Sequence, residues 1–150
     1  MSDNLLLLIP TQPEYVPNSH ARQEARKLLQ SLVVETCEVT ACVAEQIGFV
    51  DAGANFESVS CPVCRSSIAR EWWSAAMGEA HISQFSNLEV LTPCCQTRLS
   101  LNNLDYNWPQ GFARFILKAT NPGIPNLERQ AVDELERILG CKLRVIWAHL

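Results

Sequence analysis

Two cysteine pairs carry the chemistry of this chain: Cys61-Pro62-Val63-Cys64 and, after a helix-like stretch, Pro93-Cys94-Cys95. A C-x-x-C turn places two sulfurs on one edge of a tetrahedron, and a distant second pair can complete it, which is the arrangement a Zn²⁺ ion takes in closed structural sites. Cys61, Cys64, Cys94 and Cys95 are therefore expected to form one four-thiolate zinc site. Cys94 and Cys95 are adjacent, and adjacent side chains tend to diverge, so His81 stands as a substitute ligand for one of them. Cys37, Cys42 and Cys141 lack paired spacing and read as small core residues in strand or strand-edge contexts.

Four thiolates close a zinc ion off from water, whereas catalytic zinc keeps an open position and usually takes His or carboxylate ligands. Glu57, Glu71 and Glu79 read as solvated, and His20 and His149 lie at a helix start and the C-terminus. No glycine-rich phosphate loop, nucleophile elbow or paired-histidine motif is visible, so the sequence offers no catalytic constellation.

The 150 residues, 47% hydrophobic and 19% charged, fit one compact domain with a real core. Seven cysteines are an odd count for a secreted disulfide scaffold. Leu5–Ile9 is too short for a signal h-region or a membrane span. These features place the chain in a reducing cytoplasm. A net charge of -4 disfavours general attraction to nucleic acid or an anionic membrane.

The elements that must position the cysteines follow from periodicity. Leu5–Ile9, stopped by Pro10, reads as a strand buried on both faces. Asn18 or Ser19 can cap a helix whose buried stripe is Ala21, Ala25, Leu28, Leu29 and Leu32. Val39–Val50 reads as one or two strands and Phe112–Ala119 as an alternating one. Asn126 can cap a helix ended by Gly140, and Leu143, Val145 and Trp147 line a last strand. The short crossover between those last two strands predicts a right-handed parallel unit. Setting aside about residues 55–108 leaves strand-helix-strand twice, a ferredoxin-like split βαβ core of α+β class. The remainder reads as an insertion: a strand Phe56–Ser60, a helix from Ser67 to about Ile82, and a hairpin of Leu88–Thr92 with Thr97–Leu101.

With its strand leading into C-P-V-C and a second cysteine pair to close the site, the insertion resembles the knuckle of the zinc-ribbon and treble-clef families. The resemblance covers about a third of the chain and implies that backbone N–H groups of the turn support the thiolates. Arg65 stands where many such knuckles have glycine. The C-P-x-C, P-C-C and Trp108–Phe115 run together are also similar to small, uncharacterised bacterial proteins, a likeness that implies no activity. Strand, C-P-V-C, helix further resembles thioredoxin and glutaredoxin sites, with Cys61 and Cys64 as a redox pair. Here only one strand separates the helix from Pro93, and the second thiol pair would be unexplained.

Two surface features bear on partners. Trp72 and Trp73 point about 100° apart on the insertion helix, so one is expected to pack with Ile68, Ala76 and Ile82 while the other caps the module or anchors an interface. Arg114, Lys118, Lys142 and Arg144 fall on the sheet face opposite the apolar one, where they could gather into a basic patch. An RNA-binding sheet would want exposed aromatics there, and only Phe112 offers one. The expected role is therefore protein–protein interaction, adaptor or immunity-type, around a structural zinc. A nucleic-acid-binding zinc ribbon and a thiol oxidoreductase are the alternatives.

Overall fold

The computed structural model describes residues 2–150. Four strands make the main sheet: β1 (Asn4–Pro10), β2 (Glu38–Val50), β7 (Gly111–Thr120) and β8 (Leu143–His149), in the order β2-β7-β1-β8 with every neighbouring pair antiparallel. Two helices, α1 (Ser19–Leu32) and α3 (Arg129–Leu139), connect β1 to β2 and β7 to β8. The rest lies between β2 and β7: β3 (Ser58–Ser60), α2 (Arg70–Ile82), the hairpin β4 (Glu89–Leu91) and β5 (Arg98–Ser100), a 3-10 turn (Leu101–Asn103) and β6 (Asp105–Asn107). The chain is thus α+β. No helix among the described residues is long and apolar enough to cross a membrane.

Alternation on β1 explains why it sits at the centre. Leu6 and Leu8 turn to the helix-covered face, where they meet Ala25 and Leu29 of α1, Phe115 and Leu117 of β7, and Leu135 and Leu139 of α3. Leu7 and Ile9 turn the other way and pack with Ala52, Ala113, Ile146 and Ala148. Both sides are closed, as the unbroken apolar run implies. Asn18 caps α1 by accepting the Ala21 N–H at 2.8 Å. Gly140 ends α3 in the left-handed conformation at φ 75°, its N–H reaching the Glu136 carbonyl at 2.8 Å. The helix itself begins at Arg129, after Glu128 rather than Asn126.

β7 and β8 run parallel to each other, as the crossover implies, with β1 between them and antiparallel to both. Other expectations need correction. β2 is one long strand, bent by a register shift between Val43 and Gly48. Cys42 is not a core residue, because it lies on this edge strand and is exposed, whereas Cys37 is buried and Cys141 half-buried. The helix of the insertion starts at Arg70 because Ser67 and Ile68 continue as a strand-like return against β3, with Ile68 N–H bonded to the Val59 carbonyl at 2.9 Å.

The sheet face opposite the helices does not gather the four basic residues into one patch. Leu7, Ile9, Val50, Ile146 and Ala148 make it apolar, and Ala52 and Phe56, just beyond β2, pack against it. Arg144 turns inward: its guanidinium donates to Asn102 Oδ1 at 3.1 Å and to the Gln110 carbonyl at 2.9 Å. Burial lowers its pKa from the usual guanidinium value. Arg114 donates to the Ala44 carbonyl at 3.0 Å, Lys142 lies 3.8 Å from Glu136, and Lys118 remains half-exposed on β7.

Asn102 ties the insertion to the sheet. At 2% exposure it accepts the Phe112 N–H at 3.0 Å and donates to the Thr11 carbonyl at 2.9 Å. The insertion has its own small core of Val59, Ile68, Leu88, Leu101, Leu104 and Tyr106, continuous with Phe112.

Candidate metal centre

Each cysteine pair sits at the tip of a short antiparallel turn. The first turn joins β3 to its return strand: Cys61 N–H reaches the Ser66 carbonyl at 2.9 Å, and Arg65 N–H reaches the Cys61 carbonyl at 2.9 Å. Arg65 takes φ 67°, the left-handed conformation that glycine usually supplies, so the departure from the common knuckle pattern is met by strain on a non-glycine residue. The second turn joins β4 to β5, where Gln96 takes φ 54°.

These turns bring the four sulfurs together. Sγ of Cys61, Cys64, Cys94 and Cys95 all lie within 4.8 Å of one another. A tetrahedron with metal–sulfur bonds of about 2.3 Å has edges of roughly 3.8 Å, and Cys61 Sγ lies 3.7 Å from Cys95 Sγ. The donor set and the spacing both fit a soft or borderline ion held by four thiolates. Cys94 and Cys95 do not diverge. His81 is not in the group; it is exposed, with its ring edge-on to Phe85 at 5.6 Å.

Cys61 is fully buried, while Cys64, Cys94 and Cys95 are exposed. The thiols divide their protons unevenly. Hydroxyls of Thr92 and Thr97, at 3.4 and 3.2 Å, bring Cys95 down to about 6. Hydrogen bonds from Ser66 lower Cys64 as well. Contact with Cys64 holds Cys94 protonated, up to about 12. Such a cluster carries negative charge ready for a cation, with protons left to be displaced.

The aromatic residues are sorted by depth. Trp73 packs against Phe49, Phe56 and Tyr106, with centroids 5.9, 5.3 and 6.1 Å away, and its Nε1 donates to Tyr106 Oη at 3.1 Å. Tyr106 in turn donates to the Leu101 carbonyl at 2.7 Å, and burial pushes its phenol up to about 12. Trp72 lies at the wall of a cleft of about 480 Å³ between α2 and β4, beside Ala76, Glu79, Val90 and Leu91. Ile82, expected in the core, is 79% exposed at its rim.

Sequence reasoning missed β6, the partner of β3, whose Asp105-Tyr106-Asn107 is too short and polar to signal a strand. It also missed Asn102 and Gln110, whose roles depend on contacts far along the chain. No family model matches this chain, and neither the curated proteins nor the solved structures include a significant match to it.

Proposed function

We propose that this chain is a zinc protein whose ion is structural and whose work is protein–protein interaction from a ferredoxin-like scaffold. The carrying observation is the convergence of four cysteine sulfurs, one of them fully buried, at the tips of two turns. Thiolate donors in that number select zinc over hard cations. The strand order β2-β7-β1-β8, with α1 and α3 on one face, supports the split βαβ reading of the core. On that reading residues 55–108 are an insertion whose own core is too small to fold unaided, so the metal supplies part of its folding free energy.

An adaptor role suits the distribution of charge. Of the four basic residues on the sheet, Arg144 and Arg114 are engaged in internal hydrogen bonds and Lys142 neighbours Glu136, which disfavours a nucleic-acid surface. The exposed apolar residues Ile82 and Leu91 flank Trp72 on the zinc module, the kind of anchor group that interfaces favour. A reducing compartment, the cytoplasm, keeps such a site loaded.

The test is photo-crosslinking in the cells that make the protein, with a photoreactive residue at Leu91 and another at Lys27 on α1 as the control surface. A discrete crosslinked protein from the Leu91 position alone, lost in an Ile82→Glu background, supports the adaptor reading. Crosslinking to nucleic acid, or equal and diffuse labelling from both positions, refutes it.

A further inference from the structure

The two turns that carry the cysteines are copies of one another, and the copy is offset from the cysteine spacing. Aligned by conformation, Cys61-Pro62-Val63-Cys64-Arg65-Ser66 matches Thr92-Pro93-Cys94-Cys95-Gln96-Thr97. The first residue of each is buried, Cys61 at 0% and Thr92 at 1%. Its N–H bonds the carbonyl of the sixth residue in both, at 2.9 Å in the first and 3.0 Å in the second. Its carbonyl accepts the N–H of the fifth residue in both, at 2.9 Å. That fifth residue is left-handed in both, Arg65 at φ 67° and Gln96 at φ 54°.

The correspondence assigns each sulfur a rank. Cys61 and Cys64 occupy the first and fourth positions of the first turn and Cys95 the fourth of the second, and each is anchored: Cys61 by burial, Cys64 by Ser66, and Cys95 by the hydroxyls of Thr92 and Thr97. The first position of the second turn holds Thr92, a hydroxyl that bonds Cys95 and accepts the Thr97 N–H at 2.9 Å. Cys94 instead occupies the turn-tip position, whose counterpart Val63 is 59% exposed and outward-facing.

Resting on the four-thiolate reading above, we propose that Cys94 is the labile ligand of this site and its modification site toward soft electrophiles and hydroperoxides, while Cys61, Cys64 and Cys95 retain the ion. Cys94 stands at neither the first nor the fourth position of its turn, where the other three sulfurs stand, so it is the ligand that the turn's own hydrogen-bonded conformation secures least, and it is exposed to the reagent. With a maleimide, the Cys94 sulfur adds to one alkene carbon, the π bond breaks, and water protonates the other carbon. With a hydroperoxide, the sulfur takes the distal oxygen, the O–O bond breaks, and the hydroxide or alkoxide leaves with a proton from water. Sulfur is oxidised to the sulfenic acid and the peroxide is reduced.

The experiment uses the full, zinc-loaded chain in a Cys42→Ser background, because Cys42 is exposed and outside the cluster. N-ethylmaleimide labelling is followed by peptide mapping, with zinc release read by a chromogenic chelator. Among the four cluster cysteines, Cys94 is expected to react first, by about tenfold or more, with zinc leaving more slowly than label enters. A Thr92→Cys/Cys94→Val variant makes both turns C-P-V-C; it is expected to hold zinc and to lose the fast phase. Where that variant does not hold zinc, Cys94→Ser decides: zinc retained without a fast phase supports the assignment, and zinc lost overturns it. First labelling at Cys61, Cys64 or Cys95, or a fast phase that survives in the double variant, also overturns it. A parent chain that holds no zinc overturns the four-thiolate reading as well, whereas the other adverse outcomes leave that reading intact.

Discussion

Replacing Asn102 by alanine should uncouple the insertion from the sheet, and the cost can be worked from three contacts. Asn102 Oδ1 accepts the Phe112 N–H at 3.0 Å and the Arg144 guanidinium at 3.1 Å, and Nδ2 donates to the Thr11 carbonyl at 2.9 Å. Arg144 keeps the Gln110 carbonyl at 2.9 Å, so its loss is small. The buried Phe112 N–H loses its partner, at about 1–3 kcal/mol, and the Thr11 carbonyl, on an exposed residue, loses a hydrogen bond of about 1 kcal/mol. The sum is roughly 2–4 kcal/mol, and for a chain of 150 residues this corresponds to a Tm lower by about 4–16 °C. Urea unfolding followed by far-UV circular dichroism measures it, with Asn102→Asp as the companion. The aspartate keeps both acceptor contacts but sets a carboxylate oxygen against the Thr11 carbonyl in a buried site, so it too should cost stability. A loss below about 1 kcal/mol for Asn102→Ala would show that Asn102 is not the tie described here.

Three further outcomes are expected. Gly53→Ala should prevent normal folding or lower the Tm sharply, because the new Cβ would lie 2.3 Å from the His149 backbone oxygen at a residue with φ +59°; thermal melts decide it. Cys61→Ser should abolish metal binding and disorder the insertion, whereas Cys42→Ser should leave metal stoichiometry unchanged, as elemental analysis and near-UV circular dichroism will register. Apparent metal affinity should rise with pH by at least about tenfold per unit between pH 7 and 9, because Cys94, held up at about 12, must give up a proton to bind while Cys95, at about 6, is already ionised. Competition with a chelator across that range measures the slope, and a flat profile would contradict the proton count.

Local patterns made much of the fold legible. The five-residue apolar run of β1, the alternation of β7, the Asn18 cap and the Gly140 stop each depend on residues close in sequence, and the structure places them as read. The cysteine pairs were legible for the same reason: a C-x-x-C turn is a local device, and proline marks both turns. What sequence could not supply was how distant pieces meet. The supposed basic face failed because Arg144 is drawn inward by Asn102 and Gln110, 42 and 34 residues away in the chain. Ile82 read as core by helical spacing, yet α2 ends at that residue and leaves it 79% exposed. The divergence expected of Cys94 and Cys95 holds for extended backbone; in a tight turn with Gln96 left-handed, both sulfurs face one centre.

The central claim is a single structural metal on Cys61, Cys64, Cys94 and Cys95, and elemental analysis of protein purified without added metal tests it most directly when paired with thiol titration before and after denaturation. One zinc per chain is expected, with the cluster thiols largely protected until the protein is unfolded, apart from the single fast site at Cys94 and the exposed Cys42. No metal, together with fast-reacting Cys61 and Cys64 that cycle with a disulfide reagent, would contradict the account and identify a thiol redox pair in its place.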